Sequence, residues 1–167
     1  MSVELITRNG GILTPTAEGV VNKISNVNGI INGCTITFSG NTLSIAAGWM
    51  LVEGRVIHFE SSESIQASQT GKLAVKINLA AAPYASLVVY PTSTVLTQDD
   101  INGGGSVYEQ QLGTFTYSSG AVTAFTQTIG DARTNLAGNK ARSRSDLGIY
   151  IQQAEPSSPA VGDLWLY

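Results

Sequence analysis

The stretch Gly71-Lys72-Leu73-Ala74-Val75-Lys76-Ile77-Asn78-Leu79 decides the fold class of this chain. Leu73, Val75, Ile77 and Leu79 alternate with Lys72, Lys76 and Asn78, a period of two that an extended strand turns into one apolar and one polar face. Gln69-Thr70-Gly71 precedes it as a turn. The same texture continues in both directions. Downstream, Ala85 to Tyr90 is apolar on both faces and reads as a central strand stopped by Pro91. Tyr108–Tyr117 and Ala121–Thr128 flank Ser118-Ser119-Gly120 and read as a hairpin. Upstream, Cys34, Ile36 and Phe38 alternate with Thr35 and Thr37, Ser39-Gly40-Asn41 turns, and Leu43 and Ile45 alternate again. Met50-Leu51-Val52 and Arg55-Val56-Ile57 flank Glu53-Gly54, a two-residue hairpin loop, and Ser64–Ala67 is a short strand. Short, regularly spaced strands with turn signals between them predict an all-β chain whose residues 34–133 form a β-sandwich or jelly-roll-like domain.

Composition agrees. The 167 residues suffice for one domain with a sizeable core. Charged residues make up 13% of the chain and glycine numbers 18, a balance suited to strands and tight turns rather than ion-paired surface helices. A net charge of −3 leaves no electrostatic footprint for nucleic acid, and Lys140-Ala141-Arg142-Ser143-Arg144 is too short a basic run to create one. Cys34 is the single cysteine, so no internal disulfide or thiolate metal cage is available, and its place in the alternation predicts a small buried hydrophobe. No apolar run reaches the roughly 18 residues needed to span a bilayer, so no membrane insertion is expected. The start, MSVELITRNGG, lacks the features of a secretory signal, so synthesis and retention in the cytoplasm are expected until lysis.

The two ends read differently from the middle. Residues 1–33 form an N-terminal docking segment with a short helix over about 15–28. Thr14-Pro15 starts that helix, Val20, Ile24, Val27 and Ile31 give it an apolar stripe, and Asn28-Gly29 stops it. The stripe has two readings: it packs on the sheet, or it packs against copies of itself at an oligomer axis. Residues 134–148 are small, polar and basic and read as a linker. Residues 149–167, IYIQQAEPSSPAVGDLWLY, read as an extended C-terminal docking arm. Its spaced prolines keep it extended, and Leu164, Trp165, Leu166 and Tyr167 hold too much apolar surface to leave wet. The simplest cover is an extra strand on a sheet edge of the same or a neighbouring subunit.

Several segments resemble bacteriophage tail-fibre and baseplate proteins, in the order found there. GWMLVEGRVIHFE (Gly48–Glu60) is similar to a hairpin near the start of many of them, and LTQDDINGGGSVYEQQLGTFTYSSGAVT (Leu96–Thr123) resembles the loop and strands that follow. Asp131-Ala132-Arg133 is similar to the D-x-R that closes the module, and the terminal Gly162-Asp163-Leu164-Trp165 resembles the GDLW ending of such chains. The resemblance implies a virion protein of the tail or baseplate, made in the host cytoplasm. It implies a homotrimer whose other partners are tail or baseplate proteins and whose ligand, if it meets the receptor, is a host surface glycan.

No catalytic constellation or cofactor motif stands out. His58 sits in a strand beside Val56 and reads as structural, and no Gly-x-Ser-x-Gly, HExxH, P-loop or dinucleotide fingerprint occurs, so catalytic, cofactor-binding and metal residues are expected to be none. The segment 98–109 puts Asp100, Asn102, Gly103 and Glu109 at EF-hand spacing. Gln98 stands at the first position, three glycines run together and no helices flank the segment, so a plain inter-strand turn is expected. Tyr84, Tyr90, Tyr108 and Tyr117, with nearby Asp, Asn and Gln, are the candidates for sugar binding, and the same tyrosines also suit a core.

Overall fold

A computed structural model describes residues 3–5, 26–135, 149–151 and 164–166 of the chain. They contain β1 (Val3–Leu5), β2 (Gly29–Gly33), β3 (Ile36–Ser39), β4 (Thr42–Ile45), β5 (Gly48–Val52), β6 (Arg55–Phe59) and β7 (Glu63–Gln66). After these come β8 (Gly71–Asn78), β9 (Ala85–Pro91), β10 (Val107–Ser118), β11 (Ala121–Gln127), β12 (Ile149–Ile151) and β13 (Leu164–Leu166). Three antiparallel sheets result, in the orders β1-β6-β5-β2, β3-β4-β7 and β11-β10-β8-β9. The chain is all-β, as its alternation predicts.

The deciding stretch is β8, where Leu73, Val75 and Ile77 are fully buried. They join Leu43 and Ile45 of β4, Met50 and Val52 of β5, Ile57 and Phe59 of β6, and Leu112 and Phe115 of β10 in one cluster shared by all three sheets. β10, 12 residues long, is the element that reaches furthest. Its first half lies near the β5–β6 turn, where Tyr108 hydrogen-bonds Glu53. Its second half pairs with β11, which lies beside β3 and β4. A bulge between Gln111 and Gly113 re-aims the strand between those halves and turns Leu112 into the core.

The predicted Glu53-Gly54 loop is found with φ of 51° and 74°, the pair of positive values that a type I′ turn needs. Ser119 and Gly120 repeat the device between β10 and β11, with φ of 52° and 81°.

Several expectations are corrected. Ala85–Pro91 is the edge strand of its sheet rather than a central one, and its length is flanked by β7 and β1. That flanking explains an apolar run without a second hydrogen-bonded neighbour. Cys34 is buried but stands in a turn with φ of 53°, so it does not lead an inward row, and Phe38 is 42% exposed. The expected wet face of β8 is partly covered: Lys72 donates to the Thr94 carbonyl at 2.9 Å, and Ala74 between the lysines is fully buried.

Of the helix expected over 15–28, residues up to 25 lie outside the described residues, and 26–28 are irregular. Gly29–Gly33, expected within the N-terminal docking segment, is instead a sheet strand paired with β5. Residues 131–135 close the domain onto it. Ile30 donates to the Gly130 carbonyl at 2.9 Å, and a Cβ on Gly29 would stand 2.6 Å from the Ala132 backbone. Asp131 caps the short helical turn at 132–135, accepting from the Arg133 and Thr134 amides at 2.8 and 3.1 Å. In the expected arm, β12 and β13 pair with each other in parallel, Tyr150 opposite Trp165, which differs from the sheet-edge pairing expected.

Candidate functional site

The β5–β6 turn and the 98–102 loop face each other across an open cleft of about 550 Å³. The floor is wired from beneath. Arg55, the first residue after the turn, shares the inward parity of Ile57 and Phe59 and is only 2% exposed. Its Nε donates to Asn102 Oδ1 at 3.0 Å, and its guanidinium also donates to the Ile101 carbonyl at 3.1 Å. Asn102 in turn donates to the Glu53 carbonyl at 2.7 Å, so one amide clamps loop to hairpin. Glu53 is held from the other side: its side chain accepts from Asn28 Nδ2 at 3.1 Å, and its own amide donates to Asn28 Oδ1 at 2.5 Å.

Tyr108 closes the cleft from β10, 9% exposed, with its phenol hydrogen-bonded to Glu53 and Asn28. Burial first, and then the Glu53 carboxylate, push that phenol up to about 12. Gln98, Asp99 and Asp100 supply the rim. Asp99 Oδ2 accepts from the Val107 amide at 3.1 Å, and the Asp100 carbonyl accepts from Gly103 and Gly105 at 3.0 and 2.8 Å, which fixes the loop as a tight turn. Among the described residues lining the cleft there are three carboxylates and no lysine, arginine or histidine.

The EF-hand-like spacing is not brought together. Glu109 is 4% exposed, and it faces Tyr90, Lys76 and the Thr97 amide at 2.5, 3.4 and 2.8 Å rather than Asp100 and Asn102. Among the described residues no group of three His, Cys, Asp or Glu side chains stands close enough to hold a metal ion. Burial pushes the Cys34 thiol up to about 11, a thiol rather than a thiolate at neutral pH.

Of the four tyrosines considered for sugar binding, Tyr108 alone lines the cleft. Tyr84 and Tyr117 pack against the core, and Tyr90 is committed to Glu109. His58 lies opposite Trp49 on β5, the rings stacked at 3.8 Å and 13°. Of the interface residues expected from sequence, Val20, Ile24 and Tyr167 lie outside the described residues. Val27 is 1% exposed within its own domain and Ile31 sits in β2, so neither lies on a helix. Leu164, Trp165 and Leu166 form β13.

Glu53, Arg55 and Asp99 lie outside every functional motif in the sequence. A signal for Arg55 was present: an arginine with the parity of Ile57 and Phe59 must be buried, and a buried guanidinium needs acceptors supplied from elsewhere. No helix among the described residues is long and apolar enough to cross a membrane. Neither protein-family models nor curated proteins give any match to this chain.

Proposed function

We propose that the chain is a structural component of a phage tail or baseplate, or of a phage-tail-like particle, which assembles as a homotrimer and anchors or forms part of a tail fibre. The observation that carries this reading is the ordered set of segments resembling such proteins, Gly48–Glu60, Leu96–Thr123 and Asp131–Arg133. Those segments correspond to the β5–β6 hairpin, the cleft loop with β10 and β11, and the capped turn docked on β2. Their meeting around one core supports treating them as parts of a single module. The work of such a protein is docking, to its own copies and to neighbouring tail or baseplate proteins, within the virion. Light scattering at micromolar concentration tests it: a mass of several copies is expected, and a monomer that persists on concentration would sink the proposal. Detection of the chain in purified particles tests the location.

A second reading, a small receptor-recognition protein at the tail tip that binds a host glycan, is favoured by one specific observation, the polar cleft beside Tyr108. A glycan array probed with the purified protein separates the two readings. A silent array with an oligomeric mass leaves the structural role alone.

A further inference from the structure

We infer that residues 92–99 form a strap latched onto β10 by the Glu109 carboxylate, and that protonating Glu109 frees the strap, with the cleft rim it carries, while the sheets stay closed. The inference depends on neither functional reading above. The chain leaves β9 at Pro91, turns through a Thr94 amide to Pro91 carbonyl bond, and lays 97–99 beside the first half of β10. Backbone bonds tie it there, from the Glu109 amide to the Thr97 carbonyl at 2.8 Å and from the Asp99 amide to the Val107 carbonyl at 3.0 Å. Side chains add two more. Glu109 Oε2 accepts from the Thr97 amide at 2.8 Å, and Asp99 Oδ2 accepts from the Val107 amide at 3.1 Å. Apolar packing adds little to this hold. Val95 is 91% exposed, and among the described residues none from 92 to 100 joins the core cluster. Polar bonds therefore decide whether the strap stays down, and a segment held in this way opens at lower free energy than the core.

Glu109 is buried, and it is faced by Tyr90 from β9, Lys76 from β8 and the Thr97 amide from the strap. Ionised, it accepts from all three, and bonds to a charged acceptor are the strong ones. Protonated, it brings a donor into a ring of donors. The Tyr90 hydroxyl can turn to accept from it; the Thr97 amide cannot. Burial pushes the carboxyl up, yet those three donors keep it below its ordinary 4.5, so the latch is closed above that value and loosens as pH falls through the lowered one. The two ends of the strap do not follow. A lysine cannot lose its charge in acid, so Lys72 goes on donating to the Thr94 carbonyl at 2.9 Å. Asn102 stays clamped between Arg55 and the Glu53 carbonyl. The part set free lies between these anchors and includes Gln98 and Asp99, the rim of the cleft.

Amide hydrogen exchange of the full chain, followed by NMR from neutral to acid pH and corrected for intrinsic rates, tests the inference. On acidification the Thr97, Asp99 and Glu109 amides are expected to lose protection by about tenfold or more, while the Thr94 amide and those of β8 keep theirs. Glu109→Gln turns a donor toward the Thr97 amide, so it is expected to show the loss already at neutral pH and little more in acid. Tyr90→Phe removes one of the donors that keep the carboxylate ionised, so its strap is expected to open at a higher pH than in the wild type. Strap amides that stay protected until β8 loses protection with them overturn the inference, because the strap then opens only with the domain. So does a Tyr90→Phe variant whose opening pH is unchanged. Should Glu109→Gln fail to fold, the wild-type and Tyr90→Phe titrations decide the question by themselves.

Discussion

Glu109 shows what a single buried carboxylate does in this molecule. Burial pushes its carboxyl up, but the Tyr90 hydroxyl, the Thr97 amide and Lys76 together hold it below its ordinary 4.5. A depressed folded-state value contributes stability above the unfolded value and loses it as pH falls through the folded one. Acid unfolding is therefore expected to show a Glu109 component beginning below about pH 4.5. Tyr90 works in the opposite sense. Burial and the Glu109 carboxylate raise it to about 12, so its contribution holds below its ordinary 10 and fades as pH rises through 12. Glu109→Gln keeps an acceptor for Tyr90 but turns a donor toward the Thr97 amide, and is expected to cost about 1–3 kcal/mol. Urea titrations at neutral and acidic pH check this: the variant must lose stability at neutral pH and lose less on acidification. A variant with the wild-type midpoint at both pH values refutes the assignment.

At the scale of elements, turns and alternation were legible and edges were not. Glu53-Gly54 could be read directly, because two residues between apolar runs leave little room for anything but a primed turn. Gly54 at φ 74° is expected to resist substitution, with Gly54→Ala costing on the order of 1 kcal/mol in chemical denaturation. Gly113 is more constrained, since an added Cβ would stand 2.4 Å from the Phe125 ring and 2.5 Å from the Thr126 carbonyl oxygen on β11, so Gly113→Ala is expected to cost more than Gly54→Ala. Equal costs would show that the Phe125 ring and the β10–β11 backbone at Thr126 both give way freely. Ala85–Tyr90 reads as central because local periodicity reports shielding, and an edge strand flanked by β7 and β1 is half-buried although it pairs on one side only. Cys34 and Phe38 misled for a related reason: a positive φ at Gly33 and Cys34 breaks the alternation before β3 begins. The cleft was legible only in fragments, because the clamp that joins its two walls links Arg55 to Asn102, 47 positions further along the chain.

For the whole molecule, the apolar terminus is the stretch whose composition calls for a partner. Deletion of residues 149–167 removes both strands of the β12–β13 pair together. Removing it is expected to weaken homo-oligomer assembly while leaving the melting of the β domain nearly unchanged, because residues 26–135 contain the shared core. Light scattering and calorimetry on the truncated chain check this, and a truncated protein that assembles normally would end the docking-arm proposal.

The reach of β10 has a consequence for how the protein is made. A ribosome delivers β1 through β9 before residue 107, and until then β8 lacks its central partner, with Leu73, Val75 and Ile77 facing an unfinished layer. The chain must therefore emerge through Ser118, about seven-tenths of its 167 residues, before the domain can shut, and the unfinished product offers its apolar rows to chaperones. A fragment stalled at residue 106 is expected to be protease-sensitive and to melt without a cooperative transition, whereas one released after residue 135 folds. If the shorter fragment already resists protease, the last two strands of the domain decorate a body that closes without them.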